Sequence, residues 1–241
     1  MKSIWEAGVS TILEVSAIDT CYGDFQALFG IDFELSRGEI VALVGSNGAG
    51  KSTFLSTLSG LMKPTSGNIR MDGEDVTGVP AYRMVARGLS MVPEGRRLFP
   101  SLSTEENLRI GASSGRKGHW SLQRLYALFP ILEEKRKVPA TMLSGGQQQM
   151  VSIGRALMAN PSVLLCDEIS LGLSPAAIRD IYAVLPTIRE EGTAIVVVEQ
   201  DIEYAIKLVD RLVCFQEGRV TLSGAPAQLT RDQISLAYFG V

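Results

Sequence analysis

The sequence predicts an α/β fold with a helical block inserted into it, and three observations carry that expectation. The apolar run Ile40–Val44 opens directly into GSNGAGKST at 45–53, a strand, a glycine-rich turn and a helix start in immediate succession. Strand-like and helix-like stretches alternate before about Pro93 and after about Pro161. Between those prolines the pattern is helical throughout, with no convincing strand. With 241 residues and 46% apolar content, the chain has enough to fill one sizeable core, as one domain spanning 1–241. The α/β core is expected over about 11–92 and 161–241, and the helical block over about 93–160.

The elements follow in order. Residues 1–10 read as a loose terminus. Residues 11–22 and 29–36 alternate as strands, with Cys21-Tyr22-Gly23 as a turn between them. The unbroken run Ile40–Val44 suits a strand buried on both faces of a parallel sheet. A helix is expected from Lys51 to Ser59, stopped by Gly60 and Pro64. Ile69 and Met71 mark a strand, and Asp72-Gly73 a hairpin turn. Pro80–Arg87 reads as a short helix capped by Gly88, followed by a strand at Leu89–Val92. In the helical block, Ser103-Thr104-Glu105-Glu106 is a capping box. Leu122, Leu125, Tyr126, Leu128 and Phe129 form an apolar stripe that reads as core. A strand Val163–Cys166, a helix Pro175–Glu191 broken or kinked at Pro186, a strand Ala194–Val198 and a helix Ile202–Leu208 come next. Leu212–Phe215 and Val220–Leu222 flank the turn Gln216–Arg219, and the tail returns to helix.

Composition excludes several classes. A net charge of −3 with no long basic stripe gives no reason to expect nucleic acid. Arg116-Lys117 and the mixed run Glu133–Lys137 read as solvated surface. Cys21, Cys166 and Cys214 are scattered and odd in number, which argues for a reducing compartment and against a disulfide framework or metal site. No apolar run reaches the ~18 residues of a membrane span, and the first ten residues lack the apolar stretch of a signal peptide. The chain is therefore expected in the cytosol, with any membrane span supplied by other subunits.

Gly45, Gly50, Lys51 and Ser52 fit G-x-x-x-x-G-K-[ST], the phosphate-binding loop. Its glycines let the backbone wrap an anion and aim N–H groups at it. Lys51 can reach the β- and γ-phosphates, and the Ser52 hydroxyl is a hard ligand for Mg²⁺. The helix that follows adds its positive N-terminal end. Val163–Glu168 is an apolar strand ending in two carboxylates. Asp167 suits Mg²⁺, through water, and Glu168 suits a base that takes a proton from an attacking water. Taken alone, the same pair could be an ordinary acidic strand exit. Leu143-Ser144-Gly145-Gly146-Gln147 precedes a long helical stretch with capping-box spacing. It fits equally a well-capped helix start and a phosphate-binding helix N-terminus.

On these residues the chain resembles the ATP-binding subunits of ABC transporters. LSGGQ at 143–147 is that family's signature, and GSNGAGKST and VLLCDE stand in the family's order and spacing over about residues 11–230. The resemblance implies an α/β P-loop NTPase core with an N-terminal antiparallel β subdomain and an inserted α-helical subdomain. It also implies a dimer that sandwiches ATP and Mg²⁺. One subunit's loop (Gly45, Ser46, Asn47, Gly48, Ala49, Gly50, Lys51, Ser52, Thr53) faces the other's Ser144, Gly145, Gly146 and Gln147. Tyr22 lies where the family stacks an aromatic on adenine, although a turn tyrosine explains it too. Glu94 falls at a position usually glutamine, where it could ligate Mg²⁺ or, unpaired, repel phosphate. Ser174 falls where aspartate is common, and doubles as an N-cap before Pro175. Ile169 replaces a usual proline. Gln200 falls at the switch position, usually histidine; the only histidine is His119, expected on the surface.

VPEGRRLFP at 92–100, SLGLSP at 170–175 and VVEQD at 197–201 resemble one branch, the ATPases of branched-chain and other hydrophobic amino-acid importers, or of importers for urea, amides and related small solutes. Membership implies transmembrane permease subunits, a second, paralogous ATPase or a second copy as dimer partner, and indirectly a solute-binding protein. It implies a peripheral location on the cytoplasmic side of the inner membrane. A non-transport ABC ATPase, a low-activity regulatory partner and an exporter ATPase are the competing readings.

Overall fold

The computed structural model describes residues 10–199 and 206–239. Two sheets organise it. In the first, β1 (Thr11–Tyr22), β2 (Phe25–Ser36), β4 (Ser66–Met71) and β5 (Glu74–Asp75) are antiparallel in the order β2-β1-β4-β5. The second contains β3 (Ile40–Val44), β6 (Leu89–Val92), β7 (Val163–Asp167), β8 (Ala194–Glu199), β9 (Arg211–Gln216) and β10 (Arg219–Gly224), in the order β10-β9-β3-β8-β7-β6. All neighbours in it are parallel except the β9–β10 edge hairpin. As the unbroken apolar runs require, every residue of β3, β7 and β8 is buried.

Helices α1 (Lys51–Leu58) and α2 (Ala81–Arg87) join the early strands, and α2 ends on Gly88 in the left-handed region (φ 100°). The block between β6 and β7 holds α3 (Thr104–Ile110), α4 (Leu122–Leu128), α5 (Pro130–Glu134) and α6 (Gly145–Leu157). Then follow α7 (Pro175–Ala183) and α8 (Leu185–Glu190), and α9 (Arg231–Phe239) closes the chain. The expected helix over Pro175–Glu191 is thus two, parted at Val184, because Pro186 has no N–H to carry the ladder on. The α3 capping box forms as read, with Ser103 accepting from Glu106 N–H.

Three apolar clusters fill the interior. Phe54 on α1 is fully buried, with ring centroids 5.4 Å from both Phe33 and Phe215, and so locks the antiparallel sheet onto the parallel one. Burying such a ring contributes about 1.5–3 kcal/mol. The second cluster seats the helical block on the opposite face of the parallel sheet through Leu108, Leu125, Phe129, Val151 and Ile153; of the predicted stripe, Leu125 and Phe129 are core, and Leu122, Tyr126 and Leu128 pack against it half-buried. The third packs α9 on β9 through Ile234 and Ala237.

Three expectations are corrected. Tyr22 ends β1 instead of occupying a turn, which falls at Gly23-Asp24. β2 begins at Phe25, four residues early, because a bulge where Gly30 takes φ 60° shifts the β1–β2 register and breaks the alternation visible in the sequence. Arg116 is half-buried: its guanidinium donates to Asn160 O (3.1 Å) and Ser162 Oγ (3.1 Å), tying the helical block to the approach to β7. Lys117 and His119 are exposed as expected. The 1–10 reading, apart from Ser10, and most of the Ile202–Leu208 helix lie outside the described residues.

Candidate functional site

The chain leaves β3 at Val44 and turns back over its own axis to start α1. Gly45 and Gly50 are required here. A Cβ on Gly45 would lie 2.2 Å from Phe215 O, and Gly50 holds φ 102° with Leu28 Cδ2 2.9 Å from where a Cβ would be. Ser46, Asn47 and Gly48 are exposed at the crest, and Ala49 is buried beneath. Lys51 is 4% exposed, and its ammonium donates to Gly45 O (2.6 Å) and Ser46 O (2.9 Å). Burial holds its pKa below the ordinary lysine value, against the pull of Glu168 and Asp167. A cation is thus braced under the loop, beside the unpaired N–H groups of the first turn of α1.

Ser52 Oγ donates to Asp167 Oδ1 at 3.0 Å, joining α1 to the end of β7. Burial pushes the Asp167 carboxyl up to about 6; the Ser52 hydrogen bond opposes this, and the charges of Glu168 and Glu94 add to it. Glu168 follows in the left-handed region (φ 45°), its N–H donating to Val198 O at 3.1 Å. Such backbone is uncommon away from glycine, and here it turns the chain sharply off the strand. Ile169, next in line, is 1% exposed and packs in the second cluster, which accounts for an apolar residue at that place.

Lys51, Ser52, Thr53 and Glu168 line an open cavity of about 670 Å³, with Asp167 not among its lining residues. Tyr22 lines it too, 53% exposed, its hydroxyl 3.2 Å from Thr53 Oγ1. Sequence reasoning missed the remaining walls: Phe25, Gln26 and Phe29 from β2, and Glu217, Gly218 and Arg219 from the β9–β10 turn. Arg219 stacks over Phe29, 4.9 Å from the ring centroid. Gly218 N–H donates to Ala49 O and Phe29 N–H to Gly218 O, both at 2.9 Å, so these segments, remote in sequence, meet through tertiary contacts. The tight turn at 216–219 was legible; its neighbour was not.

Ser144, Gly145, Gly146 and Gln147 do not line this cavity. They start α6, where Ser144 Oγ accepts from Gln147 N–H (3.4 Å) and Gln147 Oε1 from Ser144 N–H (3.1 Å). Gly146 also has a packing reason, since a Cβ would sit 2.6 Å from Ala177 Cβ on α7. Glu94 is exposed on the loop after β6, near enough to Asp167 to raise its pKa. That loop is pinned to α6: Ser152 Oγ and Arg155 Nη2 each donate to Arg96 O at 3.0 Å. Ser174 caps α7 as expected. Gln200 lies outside the described residues.

A braced lysine, a serine backed by a buried aspartate and an aromatic wall at one cavity, carried by a parallel sheet with a β layer and a helical insert, define a nucleotide-binding cassette. The chain belongs to the ABC transporter family, as an ATP-binding, ATPase subunit: the family's model, described as ABC transporter, matches residues 28–170. It is 42% identical over 233 residues to the high-affinity branched-chain amino acid transport ATP-binding protein BraG of Pseudomonas aeruginosa, covering 95% of this chain and 100% of that one. It is 29% identical to BraF of the same organism, covering 95% and 98%. Among solved structures, the dimeric post-hydrolysis ATP-binding cassette MJ0796 bound to ADP and Pi superposes with a TM-score of 0.79 at 26% identity, covering 89% of this chain and 99% of that one. The resemblance and the fold class read from the motifs are borne out.

Proposed function

We propose that this chain binds and hydrolyses ATP to drive an importer of branched-chain or other hydrophobic amino acids. The observation that carries the chemistry is the Ser52–Asp167 hydrogen bond at 3.0 Å, with Ser52, buried Lys51 and Glu168 lining one cavity and Asp167 buried behind Ser52. Its donor set fits Mg²⁺: two adjoining hard oxygens, with Glu168 and Glu94 close enough to raise the pKa of a buried carboxyl. Ser52 and Asp167 would hold the ion, and Glu94 could add a further carboxylate to it. Bound there, Mg²⁺ neutralises charge on the β- and γ-phosphates.

In hydrolysis, water attacks the γ-phosphorus in line. Glu168 accepts the water's proton as the bond to the β–γ bridging oxygen breaks. Lys51 and the N–H groups of residues 45–53 stabilise the developing charge. Gln200 donates a neutral hydrogen bond to the γ-phosphate. Tyr22 stacks on adenine. Ser144, Gly145, Gly146 and Gln147 act in trans across a dimer, which is supported by their absence from the cavity of their own subunit and by the dimeric state of the MJ0796 neighbour. Among the described residues no helix is long and apolar enough to cross a membrane. Permease subunits provide the path, and this chain binds them from the cytoplasmic side, a reading supported by its similarity to transport ATP-binding proteins. The loop from Glu94 to Phe99, pinned to α6, is the contact that relays their motion.

The amino-acid assignment is supported by the full-length similarity to BraG. It is tested by extracting native membranes gently with ATP present and purifying the tagged chain. Two multi-span proteins and a second ATPase are expected, together with loss of leucine, isoleucine and valine uptake when the chain is deleted. Co-purification of permeases whose uptake of urea or amides fails instead would move the solute assignment. Ribosomal or DNA-repair partners with no membrane protein would overturn transport.

A further inference from the structure

Glu199 is a buried carboxylate that the hydrolysis chemistry above does not use. It ends β8 at 2% exposure, beside Val44, the last residue before the phosphate-binding loop. Ser170 Oγ donates to Glu199 Oε2 at 2.5 Å. One residue earlier, Val198 O accepts the N–H of Glu168 at 3.1 Å. Two successive residues of β8 therefore grip the turn that leaves β7, Val198 by its backbone at Glu168 and Glu199 by its side chain at Ser170. The turn needs such a grip, because Glu168 sits at φ 45° and left-handed backbone persists at a non-glycine residue only where its surroundings enforce it. Holding a carboxylate at this depth is unfavourable; burial raises its pKa, while the Ser170 and Tyr182 hydroxyls pull it back. An apolar residue would pack there without that penalty.

We propose that Glu199 and Ser170 form a positioning pair that holds the 168–174 turn so that the Glu168 carboxylate faces the nucleotide cavity. Neither Glu199 nor Ser170 lines the nucleotide cavity. It acts through Glu168, and the inference rests on Glu168 being the base. Because Glu199 also borders Val44, the pair fixes the base relative to the loop that holds the phosphates.

The test compares Ser170→Ala, Glu199→Leu, their double variant and Glu199→Gln in the full chain. It reads ATP turnover, affinity for a fluorescent ATP analogue, and amide hydrogen exchange of peptides covering 168–174. Ser170→Ala and Glu199→Leu are expected to lower turnover about tenfold or more through misplacement of the base, with affinity within about twofold. The double variant should be no worse than the poorer single one, because one link is lost in all three. Glu199→Gln, which keeps an acceptor for Ser170, should recover most of the turnover. Exchange should rise over 168–174 and not in α1. Wild-type turnover together with wild-type protection in Ser170→Ala would overturn the proposal, as would multiplied losses in the double variant. If the unmodified chain hydrolyses no ATP, the base assignment fails, and unchanged exchange over 168–174 in Ser170→Ala would separately overturn the clamp.

Discussion

Asp167 answers to two opposed demands. In the free chain its burial and the neighbouring carboxylates favour the protonated form, raising its pKa from 3.8 to about 6. The unfolded chain ionises more readily, so folding is progressively opposed as pH rises from the unfolded value through about 6, and the penalty is complete above it. Asp167→Asn removes the penalty and keeps an acceptor for Ser52. The variant should therefore gain stability over the unmodified free chain at about pH 7.5, by about 1–2 kcal/mol, and little at about pH 4. It should also bind Mg²⁺–ATP more weakly. Urea unfolding at both pH values checks the first, and nucleotide titration with and without Mg²⁺ the second. At this scale much was legible. Gly45, Gly50, Lys51, Ser52, Asp167 and Glu168 follow a spacing that backbone geometry and phosphate chemistry dictate together. Phe29 and Arg219 were not, because they meet through a hydrogen bond and a ring contact between segments remote in sequence, and Phe25 was not, because β2 starts before the visible alternation.

Helix α6 shows how one residue type can satisfy two requirements. Its first turn is a capping box, and Gly146 lets α7 approach until a Cβ would lie 2.6 Å from Ala177 Cβ. Gly146→Ala should force the helices apart and destabilise the chain by about 1–3 kcal/mol, despite alanine's better helix propensity. Ala177→Gly in the same chain should recover part of the loss, since it removes the opposing methyl. Thermal unfolding of the single and double variants checks this; additive losses would contradict the contact. Strand and helix placement was legible wherever apolar periodicity was clean, as in β3, β7 and β8. It failed at the start of β2, where the Gly30 bulge shifts register and hides the alternation. The break at Pro186 was readable because its cause is local.

For the whole molecule, alternation of strands and helices around one helical insert sufficed to predict the architecture, because parallel strands need crossovers and buried runs need cover on both faces. What the chain contributes to an assembly was readable only through the family resemblance. The signature residues lie away from the cavity of their own subunit. Glu168→Gln with Mg²⁺–ATP should accordingly run as a dimer on size-exclusion chromatography, and adding Ser144→Arg should return it to monomer by placing a bulky side chain where the two subunits would close on the nucleotide. A dimer that survives Ser144→Arg would remove the signature from the interface.

The measurement that bears most directly on the account is ATP turnover against ATP affinity in Glu168→Gln. The amide cannot accept water's proton, yet it keeps the shape of the side chain in the cavity. Affinity should stay within about twofold of the unmodified chain while turnover falls by about a hundredfold or more. Turnover close to that of the unmodified chain would contradict the account, because the carboxylate in the cavity would then not be the base.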